Sequence, residues 1–152
     1  MTTAALRCAC QLWQRFVQAL EALQPLAQLL ARLYIARVFF FSGLTKIRDW
    51  ETTIALFTDE YKVPLLPPHV AAFMGTGGEL VLPVLLVLGL FGRFAALGLT
   101  VVNIVAAFSL PDVAEAALQQ HVFWGSLLLG LLLWGPGRWS ADELLGHRLR
   151  LR

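Results

Sequence analysis

Charge is what this chain has least of. Only 14% of its 152 residues are Asp, Glu, Lys or Arg, while 58% are hydrophobic. Soluble domains carry about 25% charged and 45–50% apolar residues. A soluble core of this length cannot hide so much apolar surface, which excludes a free globular domain. The net charge is only +2 and no basic-aromatic patch is present, so a nucleic-acid partner is excluded. Cysteine is nearly absent, with Cys8 and Cys10 alone near the amino terminus. A C-x-C pair is too closely spaced for an ordinary structural disulfide. Without a C-x-x-C, thioredoxin-like redox chemistry has no basis. The pair reads as two small hydrophobes on an amphipathic helix, with a soft-metal or thiol site as the alternative. A secretory signal is missing too, because Gln11, Gln14, Arg15, Gln18 and Glu21 interrupt the only candidate apolar run. Haem signature, flavin fingerprint, metal-cluster spacing and a nucleophile–base pair are all lacking, so no catalytic residue is assigned.

What is there is long apolar runs. They predict an all-α, polytopic membrane protein: a four-transmembrane-helix bundle with amphipathic interfacial helices. The spans run over about 26–44, 69–90, 94–110 and 118–134, within a domain covering 25–139. Residues 1–24 form a separate amphipathic segment in which Leu6, Cys10, Trp13, Phe16, Leu20 and Leu23 recur at helical spacing. This helix is expected to lie in the headgroup region, and Pro25 to mark its junction with span one. A second surface helix follows span one, with Ile47, Trp50, Ile54, Phe57 and Tyr61 on one side and Asp49 as its N-cap. Val63-Pro-Leu-Leu-Pro-Pro68 ends it, and Pro68 suits the first turn of span two. Gly89-Leu-Phe-Gly-Arg93 is a tight link between antiparallel spans, and Pro111-Asp112 opens the last connection. Residues 140–152 are a basic cytoplasmic tail that begins with a capping signal, Ser140 followed by Glu143.

The few polar residues inside the spans are the candidates for function. Arg37 lies deep in span one, where a cation costs about 2.5–3.5 kcal/mol on insertion scales and so calls for an internal partner. Glu79 is the carboxylate central to a later span, and the expected contact is Arg37 with Glu79. Such a pair serves a ligand or fixes helix register. Arg32 is expected to snorkel to the interface. Lys46 closes span one, one turn after Gly43, whose missing side chain lets a neighbour approach. Pro83 frees the carbonyl of Glu79. Asn103 is suited to a hydrogen bond across the bundle or to a ligand. His69 and His121, with Asp112, flank spans on one side and form a candidate metal site, which simple interfacial histidines would equally explain.

Arg7, Arg15, Arg93, Arg138, Arg148, Arg150 and Arg152 fall on one side of the membrane, against Lys46, Arg48 and Lys62 on the other. Both termini are therefore expected in the cytoplasm.

Arg37 with Phe-Phe-Phe-Ser-Gly43-Leu-Thr-Lys46 comes first in a wider pattern. Val-Pro64-Leu-Leu-Pro67, Gly78-Glu79, Leu88-Gly89-Leu-Phe-Gly-Arg93 and Gly135-Pro-Gly-Arg-Trp-Ser140-Ala-Asp142 follow. This pattern resembles the DoxX family over roughly residues 30–145. The resemblance implies a four-helix bundle in a bacterial inner membrane. It implies a subunit or accessory of a redox or stress-response system, such as a quinone-linked oxidoreductase, with a protein partner and the lipid membrane around it. Many relatives carry a polar, often histidine, position in span three; here Asn103 stands nearby, a departure from that pattern. A quinone would need an apolar slot, a donor and a proton-exchanging group, which Arg37, Glu79 and Asn103 could supply beside a flat wall of Trp124 or Tyr34. The alternative is a non-enzymatic anchor or a transport partner for a small substrate or metal stress, homo-oligomeric or bound to another protein.

Overall fold

The computed structural model describes residues 3–61, 63–109 and 114–150. Six helices follow one another: α1 (Thr3–Arg48), α2 (Trp50–Asp59), α3 (Pro68–Leu88), α4 (Gly92–Ser109), α5 (Glu115–Trp134) and α6 (Ala141–Arg150). Four of them, α1, α3, α4 and α5, are long and apolar enough to cross a membrane. The expected all-α, four-span architecture is what the chain adopts. Lys62 and the Pro111–Asp112 connection lie outside the described residues.

The four spans close into a ring, with α1 against α3 and α5, and α4 against α3 and α5. Ile35, Phe39, Leu86, Ala95, Ala96, Leu99, Leu128 and Leu131 fill the centre. Outward, Val81, Val84, Leu97, Val101, Ile104, Leu129 and Leu133 stay exposed, an arrangement that water would penalise and hydrocarbon accepts. Small residues set the spacing. A Cβ on Gly43 would lie 2.9 Å from Leu80 and 3.1 Å from the Cβ of Glu79, so α1 and α3 meet there almost backbone to backbone. Gly98 admits Leu82 in the same way, since an added Cβ would stand 2.7 Å from its Cδ1.

The caps read from sequence are in place. Asp49 accepts from Thr52 N at 3.0 Å and from the Thr52 hydroxyl at 2.7 Å, and these bonds hold its carboxyl below the ordinary range. Pro68 stands in the first turn of α3. Ser140 Oγ accepts from Glu143 N at 3.3 Å at the start of α6.

Two expectations fail. Pro25 does not separate an amino-terminal helix from span one, because α1 runs unbroken from Thr3 to Arg48. Proline removes one backbone donor, yet Pro25 is buried, and the 136–140 segment packs on the turns that follow it. Arg32 does not snorkel. It is 1% exposed, and its Nη2 donates to the Trp139 carbonyl at 2.6 Å. The segment after α5 folds back over α1 and supplies that acceptor. Asp142 then accepts from the backbone amides of Phe91 and Gly92 at 2.8 Å each, capping the start of α4 from a distant part of the chain.

Candidate functional site

Glu79 sits on α3 three turns from its start, on the face turned to α1. Its partner is Lys46, not Arg37: Lys46 Nζ lies 2.6 Å from Glu79 Oε2. Lys46 also donates to Ser42 Oγ at 2.9 Å, one turn back on α1. The carboxylate side chain is 8% exposed and the ammonium 21%, so the pair is embedded with the cation toward the rim. Arg37 is exposed, with its guanidinium 5.8 Å from the centre of the Phe41 ring.

The helical register explains why Lys46 and not Arg37 meets Glu79. Gly43 lies level with Glu79 and Leu80, and α1 and α3 run antiparallel. Arg37 is then about 9 Å along the axis from that level, toward the other end of α3. Arg37 and Lys46 are also separated by about 180° around an ideal helix, so only one of them can face Glu79.

The pair lines a cavity of about 660 Å³ at the end of the bundle away from the chain termini. Phe57 and Tyr61 close it from the α2 side, Met74 and Gly75 from α3, Val102 and Val105 from α4, and His121 and Trp124 from α5. Apart from Lys46 and Glu79 the walls are largely apolar. Burial, then the charges of Glu60 and Glu79, hold the Tyr61 phenol above its ordinary value, so it presents a hydroxyl donor. Trp124 lines the cavity, while Tyr34 stands behind it, with the Trp124 indole N–H 3.4 Å from its hydroxyl.

Asn103 makes the bond across the bundle that its type suggested. Its Nδ2 donates to the His121 carbonyl at 2.9 Å, and its Oδ1 lies 2.9 Å from His121 Nδ1. His121 is thereby engaged with an amide, and His69 is exposed in the first turn of α3. Among the described residues no group of three His, Cys, Asp or Glu side chains converges to hold a metal. Cys10 is free and exposed. Asp112, the third member of the expected metal set, lies outside the described residues.

The structure thus gathers Lys46, Glu79 and His121 around one cavity, places Asn103 behind His121, and leaves Arg37 and His69 outside. Sequence reasoning missed Ser42 and Tyr61. Ser42 is four residues before Lys46, a spacing that puts both on one face of α1 and would have flagged it. A larger recess of about 1000 Å³ lies at the other end, between the first half of α1 and the 134–143 segment. Its walls carry Glu21, Gln28, Arg93, Arg138, Asp142 and Glu143, and Lys46, Glu79, Asn103 and His121 are not among them.

A family model described as DoxX matches residues 27–112. A Haemophilus influenzae protein described as uncharacterized is 32% identical over 124 residues, covering 77% of this chain and 82% of that protein. No solved structure matches. With more than half of its length inside that family model and a relative sharing most of its length, the chain belongs to the DoxX family.

Proposed function

We propose that the protein is the membrane subunit or accessory of a redox or stress-response system of the bacterial inner membrane, and that its cavity holds a quinone-type ligand. The observation that carries this reading is an apolar, aromatic-walled cavity of about 660 Å³ with one ion pair at its edge. Small-molecule sites have that form: about 300–1,000 Å³, mostly apolar, with a few placed polar groups.

The residues fit such a ligand. Phe57, Tyr61 and Trp124 offer flat surfaces for a ring. Lys46 has three ammonium hydrogens, two of them used by Ser42 and Glu79, and the third is free for a carbonyl oxygen. Glu79 and Lys46 together can hold or move a proton at the ligand's oxygen. The ligand, when bound, would supply the electron-accepting chemistry that protein side chains lack, and a partner protein would supply the donor.

The test is titration of a short-chain benzoquinone into purified protein in lipid nanodiscs, read by quenching of tryptophan fluorescence. Saturable binding is expected, weakened at least tenfold in Lys46→Met. An absence of saturable binding, together with no quinone in protein extracted in mild detergent, would reject the reading.

A second reading, a non-enzymatic anchor for another protein, is favoured by the first half of α1, where Leu12, Trp13, Phe16, Leu20 and Leu23 are all exposed. Deleting residues 1–24 would then abolish co-purification of a partner while leaving ligand binding intact.

A further inference from the structure

Asn103 on α4 and His121 on α5 determine each other's chemistry. The His121 carbonyl can only accept, so the end of the Asn103 amide that meets it at 2.9 Å is the nitrogen. The amide oxygen therefore faces the imidazole, 2.9 Å from Nδ1. That oxygen has no hydrogen to give, so Nδ1 carries one. A neutral imidazole has a single N–H, which leaves Nε2 as a bare acceptor. The bond to Asn103 is the ring's one hydrogen bond among the described residues. The edge-on packing of Trp124, 5.1 Å between ring centres, further limits how the ring can turn.

His121 lines the same cavity as Lys46, Glu79 and Tyr61. The two sides of that cavity ask for different things. Toward α1 and α3 stand an ammonium and a carboxylate, which between them can meet either a carbonyl or a hydroxyl. Toward α5 stand His121, whose unprotonated nitrogen is an acceptor, and Trp124, whose indole N–H is turned to the Tyr34 hydroxyl at 3.4 Å. A hydroxyl placed there forms a hydrogen bond to Nε2. A carbonyl placed there sets two acceptors face to face, and each loses its water without gaining a donor.

We infer that the cavity selects the reduced, dihydroxy form of its ring ligand over the oxidised dicarbonyl form. His121 Nε2 is the hydrogen-bond acceptor, and Asn103 is the positioning residue that fixes the tautomer. The inference rests on the reading that the cavity holds a quinone-type ligand. It adds the oxidation state recognised and the residues that recognise it.

The experiment compares a short-chain benzoquinone with its hydroquinone, kept reduced under anaerobic conditions, for binding to the full chain in nanodiscs. Wild type is expected to bind the hydroquinone about tenfold more tightly, the effect of one hydrogen bond gained against one acceptor left unpaired. His121→Leu should bring the two forms within about twofold while leaving quinone binding in place, and Asn103→Leu should narrow the gap by freeing the tautomer. Equal binding of both forms by wild type, or a preference that survives His121→Leu, overturns the inference and leaves the quinone site standing. Binding of neither form removes both. Nitrogen-15 NMR of histidine-labelled wild type avoids any question of variant folding. His121 is expected as the Nδ1–H tautomer, with its Nε2 resonance moved by hydroquinone and not by the dimethyl ether of hydroquinone. An Nε2–H tautomer in the ligand-free protein, or an unmoved resonance, counts against the assignment.

Discussion

Lys46 and Glu79 need each other more than the bundle needs either. Removing one partner of a buried ion pair leaves a charge in a poorly solvating place and costs about 3–5 kcal/mol, whereas replacing both with apolar residues of similar volume is often neutral. Lys46→Met alone should therefore lower the thermal stability of the purified protein strongly, and Lys46→Met with Glu79→Met should recover most of the loss. Glu79→Gln should be milder than Glu79→Ala, because the glutamine amide oxygen still accepts from Lys46. Thermal unfolding of the four variants in one detergent checks the pattern; equal, near-wild-type melting would reject an energetic role for the pair. At this scale the residue types were legible and the partners were not. Glu79 was identifiable as a carboxylate that must be satisfied. Its choice of Lys46 over Arg37 depends on which turn of α1 meets α3, and Gly43 fixes that only when Leu80 and Glu79 are seen against it. Arg32 was misread for a related reason: the acceptor that keeps it buried belongs to Trp139, over a hundred residues later in the chain.

Among the elements, the carboxyl-terminal segment does more than trail from the last span. Asp142 accepts from two amides at the start of α4, and its own amide donates to the Gly89 carbonyl at 2.9 Å. Gly89 has φ +65°, and a Cβ there would press on Arg32 Nη1 and stand 2.5 Å from the Ser140 Cβ, so the turn and the segment fit only around glycine. Asp142→Ala should destabilise the α3–α4 turn by about 1 kcal/mol, as loss of a cap does, and Asp142→Asn should lose less because it keeps an acceptor. Hydrogen exchange at Phe91 and Gly92 reads the effect directly; unchanged protection in Asp142→Ala would refute the cap. Helix extents followed well from sequence wherever a local signal existed, as with Asp49, Pro68 and Ser140. Pro25 was overvalued as a breaker because its local cost is visible in the sequence, whereas the packing of residues 136–140 against the following turns is not.

For the whole molecule, an even number of spans would put both chain ends on one side, and we propose from the arginine distribution that this side is the cytoplasm. Cys10 is exposed and supplies a native probe. A membrane-impermeant maleimide should label it in inverted inner-membrane vesicles and leave it unlabelled in spheroplasts. Labelling in spheroplasts would reverse the orientation and place the cavity at the cytoplasmic end. Class was readable from the scarcity of charge and span number from the long apolar runs, since no other packing hides so many apolar residues. The cavity was not, because its walls come from five helices and a loop whose mutual heights no single stretch encodes.

The fastening made by Asp142 also has a place in time. Ribosomes deliver the chain from its amino end, so the hairpin of α3 and α4 is complete in the bilayer while its turn still lacks the carboxylate that closes it. A product that stops at Trp134 would contain every membrane span, yet leave the Phe91 and Gly92 amides and the Arg32 guanidinium without the acceptors that Asp142 and Trp139 provide. Residues 139–142 are therefore the last fastening of the bundle to be made, after all four spans have left the ribosome.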